Sequence, residues 1–194
     1  SGTLAVTGVT TLVAGANDIA FNTATNNFST VAITSGNNVT LVDTNALDLG
    51  ASTVAGSLAV TAGGAITDSG NLAVTGTGSF SAGANTITLG DTTTANFGSL
   101  TVAGGAVTVT EGSGTQFTGA STATSLTLTA NGAVTQTGGS SVGVTGTSAL
   151  NVGGNDVTLT EAGNNFGTVT LASVNNVALV DTNALNLGAS TVGG

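Results

Sequence analysis

Nine carboxylates supply all of the ionisable side-chain chemistry in this chain: Asp18, Asp43, Asp48, Asp68, Asp91, Glu111, Asp156, Glu161 and Asp181. The 194 residues contain no Lys, Arg, His, Cys, Tyr or Trp. Carboxylates alone can gather calcium or work in pairs on a glycosidic bond. A calcium site needs about six to eight converging oxygens. Asp18 in Ala16-Asn17-Asp18-Ile19 and Asp156 in Gly154-Asn155-Asp156-Val157 are spaced alike, but Thr86 stands at the corresponding place between them. The glycine- and aspartate-rich nonapeptide of calcium-binding β-rolls is absent. Asp18 and Asp156 therefore read as solvated turn carboxylates, as do Asp43 and Asp181 in their shared Val-Asp-Thr-Asn-Ala. A glycosidase sets two carboxyl groups across the scissile bond. Here no base stronger than a carboxylate and no Trp or Tyr accompanies them. We expect no enzyme activity, no metal and no cofactor.

A formal net charge of −9 with no cation removes further partners. Nucleic-acid binding is driven by Lys and Arg neutralising phosphates, and an anionic membrane surface repels such a chain. No hydrophobic run reaches the roughly 18 residues of a membrane span. Absent Cys rules out a disulfide framework. The chain gives trypsin nothing to cut, and a sequence without Cys or Met resists oxidation, traits that suit an exposed extracellular life. With 40% hydrophobic residues, 39 Thr and 31 Gly, the β-branched content argues for ordered strands rather than disorder.

The elements that must carry these residues follow from repetition. Ser1–Gly56 lies over Gly139–Gly194 without a gap, and 31 of the 56 pairs are identical. This 138-residue period divides into two units of about 69, because Asn-Asn-Phe or Ala-Asn-Phe places Phe28, Phe97 and Phe166 at 69-residue spacing. A long internal period marks a solenoid. Within the middle unit nine short runs alternate apolar and polar residues, the pattern of half-buried strands. They lie near Leu58–Thr61, Ala65–Thr67, Leu72–Thr75, Ser79–Ser81, Thr86–Leu89, Ala95–Phe97, Leu100–Ala103, Val107–Thr110 and Thr115–Thr118. Gly, Asn, Asp and Ser between them form turns. Taken by threes, the runs give coils of about 23 residues, a period in the solenoid range. The expected fold is all-β, a right-handed parallel β-helix with three short strands per coil, forming one array over residues 1–194. Zero Pro agrees, since every interior strand must donate its N–H to a neighbouring coil.

Strand spacing of ~4.8 Å predicts a rise of ~14 Å per 69-residue unit and ~29 Å per 138-residue period. On that pitch Phe28, Phe97 and Phe166 recur on one edge every third coil, each filling a corner of the lumen. Asn17, Asn85 and Asn155 mark a turn returning at the same interval, with side chains able to bond along the stack or to tolerate left-handed turn geometry. Thr-x-Thr at Thr86–Thr88, Thr108–Thr110, Thr127–Thr129, Thr158–Thr160 and Thr168–Thr170 is divided between at least two faces and reads as solvent-side β-propensity. The sequons at Asn27-Phe28-Ser29 and Asn38-Val39-Thr40 are lost where Gly167 and Ala178 replace the hydroxyl, and read as chance.

Ser57-Leu-Ala-Val-Thr-Ala-Gly-Gly-Ala-Ile-Thr-Asp-Ser-Gly70 and Asn45-Ala-Leu-Asp-Leu-Gly-Ala-Ser-Thr-Val54 resemble repeats of filamentous-haemagglutinin-type bacterial exoproteins. The resemblance covers essentially the whole chain. It implies a β-helical rod exported by two-partner secretion, although the family's secretion domain has no counterpart here. Ser1 shares its phase of the repeat with Gly139 and Gly194 with Gly56, so the chain begins and stops in mid-array, and with no amphipathic cap at either end it reads as a piece of a longer array. The expected role is a rod or fibre segment of a large secreted or surface-displayed bacterial protein. It would serve adhesion or an extracellular matrix at the cell surface, with its own array and a host or matrix surface as partners. The alternatives are a flat Thr/Asn face binding polysaccharide or ice, and a self-assembling amyloid-like fibre.

Overall fold

The computed structural model describes residues 2–194. Among these residues there is no helix. Eighteen strands join one continuous sheet, and neighbouring coils pair in parallel. Interior strands bury alternate residues. Val39–Asp43 and Leu58–Ala62 turn Val39, Leu41, Leu58 and Val60 inward and leave Thr40, Ala59 and Thr61 toward solvent. The chain is a parallel β-helix, as the alternation predicts.

One ladder runs through nine coils. Val9 pairs with Thr30, Thr30 with Asp48, and Asp48 with Thr67. The ladder continues through Thr88, Thr108, Thr127, Ala149 and Thr170. Eight steps carry the chain from Val9 to Thr170, so a coil averages about 20 residues, at the short end of solenoid repeats. The inner ladder beside it is apolar: Leu47, Ile66, Ile87, Val107 and Leu126 stack one above another and are at most 2% exposed. Above Leu126 stands Ser148, fully buried, whose hydroxyl has no hydrogen-bond partner. Thr10, its equivalent in the first copy of the long repeat, shares that property.

The coil is shorter than expected from grouping the nine runs of a unit by threes. All nine runs of the middle unit fall on strands, with Leu72–Ser81 and Ala95–Ala103 each joining two of them. A tenth run, on the strand Ala120–Ala123, follows Thr115–Phe117 after Gly119 takes φ +62°. One unit therefore makes three coils and part of a fourth, and two units make seven. At ~4.8 Å per coil the 138-residue repeat rises ~34 Å.

The half-integral count moves the repeated side chains to different edges. Descending from Phe97 through Val74 and Val54 leads to the end of strand Asn27–Ser35, where Ala55 N–H bonds Gly36 O. Phe28 sits at the opposite end of that strand. Phe28 and Phe166 thus share one edge seven coils apart, and Phe97 lies on another. Asn17 and Asn155 are related in the same way, with Asn85 on a different edge. The expectation of one edge every third coil is corrected on this point. Burial of the rings is as expected: Phe28, Phe97 and Phe166 are 1%, 5% and 2% exposed. Phe28 packs edge-on against Phe21 at 5.9 Å, and Phe97 against Phe80 at 5.3 Å.

Candidate functional site

The feature that recurs in each unit is a capped bulge. Opposite Phe28, Phe97 and Phe166 the coil below carries an extra residue, between Val6 and Val9, between Val74 and Thr77, and between Val144 and Thr147. A bulge breaks the ladder and leaves backbone groups unpaired. At Phe97 and Phe166 the next residue is glycine, and a Cβ there would run into the carbonyl of Thr75 or Thr145.

On the side facing away from the bulge, side chains from the coil above accept the Phe N–H groups. Phe28 N–H donates to Asp43 Oδ1 at 2.7 Å, Phe97 N–H to Glu111 Oε1 at 3.1 Å, and Phe166 N–H to Asp181 Oδ1 at 3.0 Å. Further along the same strands, Ile33, Val102 and Leu171 donate their N–H groups to Ser52, Ser121 and Ser190 Oγ, each at 3.2 Å. The serines recur once in each unit, as do Gly50, Gly119 and Gly188 before them. The unit therefore repeats a hydrogen-bonding device, buried in its first two occurrences, as well as an apolar pattern.

This overturns the solvated reading of Asp43, and two further carboxylates are buried with it. Asp43, Asp68 and Glu111 are 3%, 6% and 2% exposed. Buried charge is costly unless it is hydrogen-bonded, and each has such partners. Asp43 Oδ2 also accepts Asn45 N–H at 3.1 Å. Asp68 accepts Gly90 N–H at 2.8 Å and the Thr93 hydroxyl. Glu111 accepts the Thr115 hydroxyl beside Phe97 N–H. Its burial pushes its pKa up to about 7 against the pull of these two bonds. Replacing Asp43 by Ala leaves the buried Phe28 amide without its acceptor, and the part-buried Asn45 amide with it, and is expected to cost about 1–3 kcal/mol in urea unfolding. An unchanged midpoint would refute the capping role.

Asp18 and Asp156 are exposed, as expected, and clamp adjacent coils. Asp18 Oδ1 accepts Asn38 N–H and the amides of Asn37 and Asn38, at 2.8–3.1 Å. Asp156 repeats this with Asn175 and Asn176. The Asn38 backbone N–H, then the Asn37 amide, hold Asp18 below the usual carboxylate range. No group of three His, Cys, Asp or Glu converges among the described residues.

Asn17, Asn85 and Asn155 each donate Nδ2 to the carbonyl three residues back, at 3.0, 2.9 and 2.7 Å. Asn85 also reaches the coil below, at Gly63 O. The left-handed residue of this turn is the glycine two places earlier, Gly15, Gly83 or Gly153. Amide bonding between coils occurs elsewhere, from Asn45 to Asn27 and from Asn183 to Asn165. Four Thr-x-Thr pairs share the outer face of the nine-coil ladder, while Thr158 pairs with Ala178 on another. Asp48 and Ala149 interrupt the Thr column on that face.

The carboxylates and serines were visible at their recurring spacings. Their burial was not, because Asp and Ser in a turn-rich chain look like ordinary turn formers. What the arrangement does is hold coils in register. No curated protein and no solved structure matches the chain. Residues 1–35, 36–103 and 104–173 match a family described as repeats of unknown function (DUF5649), with breaks that fall at the same phase of the 69-residue unit. With nearly its whole length so matched, the chain belongs to that repeat family.

Proposed function

We propose that the chain is a structural rod segment of a large secreted or surface-displayed bacterial protein, of filamentous-haemagglutinin type, serving adhesion or an extracellular matrix. The observation that carries this reading is the unbroken parallel ladder from Val9 to Thr170. Every coil is bonded to its neighbours along the rod axis, so tension is borne by many parallel hydrogen bonds at once. Inside, an apolar column keeps water out; outside, hydroxyls and carboxylates with no cation keep rods soluble and apart. The absence of Lys and Arg adds resistance to trypsin-like proteases outside the cell.

Immunogold labelling tests the placement. Antibody raised against the folded rod is expected to decorate intact, unpermeabilised cells along projecting fibres. Labelling that appears only after lysis would refute a surface rod.

A further inference from the structure

Asparagine is followed by glycine once in the chain, at Asn131-Gly132. The pair lies in the turn between strands Ser125–Ala130 and Val134–Gln136, well inside the array. In the preceding unit the same turn is Gly63-Gly64, with Thr-Ala-Gly-Gly-Ala-Ile-Thr in place of Thr-Ala-Asn-Gly-Ala-Val-Thr. Close stacking of coils fixes the second glycine of each pair, since only glycine admits so near an approach of another backbone. A Cβ at Gly64 would lie 2.6 Å from Ala46 N, and one at Gly132 would lie 2.7 Å from Gly114 N. Position 131 is different: it is exposed and accommodates a side chain.

Hydrogen bonding sets this asparagine apart from others on the surface. Asn37 and Asn175 donate their carboxamides to Asp18 and Asp156, which also accept the N–H of the following Asn38 and Asn176. After Asn96 the next N–H, that of Phe97, donates to Glu111 Oε1. Asn131 donates its own backbone N–H to Glu111 O at 3.1 Å. Its carboxamide and the Gly132 N–H have no hydrogen-bond partner among the described residues. An unengaged carboxamide thus stands beside an unengaged backbone nitrogen that no neighbouring Cβ crowds.

We propose that Asn131 is a modification site at which the folded chain converts its own carboxamide to a carboxylate, with no enzyme. The Gly132 nitrogen, on losing its proton to hydroxide, attacks Asn131 Cγ. The new C–N bond closes a succinimide ring, the bond from Cγ to Nδ2 breaks, and that nitrogen leaves as ammonia. Water then opens the ring. Opening at the Cγ carbonyl yields aspartate; opening at the backbone carbonyl yields isoaspartate, whose main chain runs through the former side chain and is one methylene longer. Either product adds a carboxylate to the nine already present. The longer main chain would enter a corner where Gly132 is pressed against Gly114, so the packing that demands glycine also prepares the reaction that disturbs it.

The test incubates the folded protein at mildly alkaline pH, cleaves it after Glu111 and Glu161, and weighs the intervening peptide over time. That peptide is expected to gain the mass difference between an amide and an acid. Fragmentation should place the gain at Asn131, at least tenfold faster than at any other asparagine in the chain. Methylation by a protein-isoaspartate methyltransferase should label the same peptide, and the rate should rise with pH because the attacking nitrogen is deprotonated. Asn131→Gly, which reproduces Gly63-Gly64, should fold as the parent does and gain nothing at this position. A folded parent that stays unmodified while the urea-unfolded chain reacts would show that the turn holds Cγ away from the Gly132 nitrogen, and would overturn the proposal. Equal rates at several asparagines of the folded chain would overturn it as well.

Discussion

Replacing Leu47 by Ala is expected to cost about 2–5 kcal/mol, the range for a fully buried leucine. The same change at Leu185 is expected to cost under about 1 kcal/mol, as at partly exposed positions. Both leucines sit in the sequence Val-Asp-Thr-Asn-Ala-Leu, so propensity and turn chemistry cancel in the comparison. What differs is the neighbour above: Ile66 lies directly over Leu47, and Leu185 is 39% exposed. In a solenoid each coil contacts only the next. A cavity at Leu47 therefore weakens two interfaces in the middle of the ladder, whereas one at Leu185 frays the last coil. For a chain of this length each kcal/mol lowers the melting temperature by about 2–4 °C. Urea and thermal unfolding of the two variants side by side provide the measurement. Equal losses would mean that stacking between successive coils is not what buries these residues.

The strands were legible because lumen-facing positions carry Leu, Val, Ile or Phe and solvent-facing ones Thr, Ala or Ser. Leu58–Thr61 and Val107–Thr110 announce themselves in this way. The coil length was not legible, and a single strand explains why. Ala120–Ala123 turns Ser121 and Ala123 inward, so its inner face has no large apolar residue to reveal it. Ser121 is there to accept Val102 N–H, a role that exists only once the neighbouring coil is in place. The same reasoning applies to the carboxylates. Nothing local to Asp43 says that Phe28 N–H in the coil below turns to it for an acceptor, because that donor lies 15 residues away along the chain. Non-local hydrogen bonding in a solenoid writes its signal into the spacing between repeats, where Asp43, Glu111 and Asp181 recur. The Phe and Asn repeats mark a 69-residue unit, yet a repeat length need not be a whole number of coils. Here the unit is closed by its caps rather than by a full turn.

Glu111 makes stability depend on pH through its burial. Its carboxyl lies in a corner of the rod with the Phe97 amide and the Thr115 hydroxyl as partners, and desolvation raises its pKa from 4.5 to about 7. Below pH ~4.5 the group is protonated in both folded and unfolded chains, and its contribution to stability is fully present. Between ~4.5 and ~7 the unfolded chain releases the proton while the folded one keeps it, so stability falls as pH rises. Above ~7 both states are ionised and the loss is complete, at up to about 3 kcal/mol from 1.36 kcal/mol per pH unit. Asp18 and Asp156, held low by the amides that surround them, act in the opposite direction and only below the ordinary aspartate range. Glu111→Gln keeps an acceptor for Phe97 N–H and offers an amide to Thr115, which mimics the protonated acid. The variant should match the parent near pH 4, exceed it by as much as about 3 kcal/mol at pH 8, and show a flatter profile between. Asp43 and Asp68 are present in both proteins, so the difference between the two curves isolates Glu111. Parallel curves from pH 4 to pH 8 would show that the corner admits enough water to keep the carboxylate ionised.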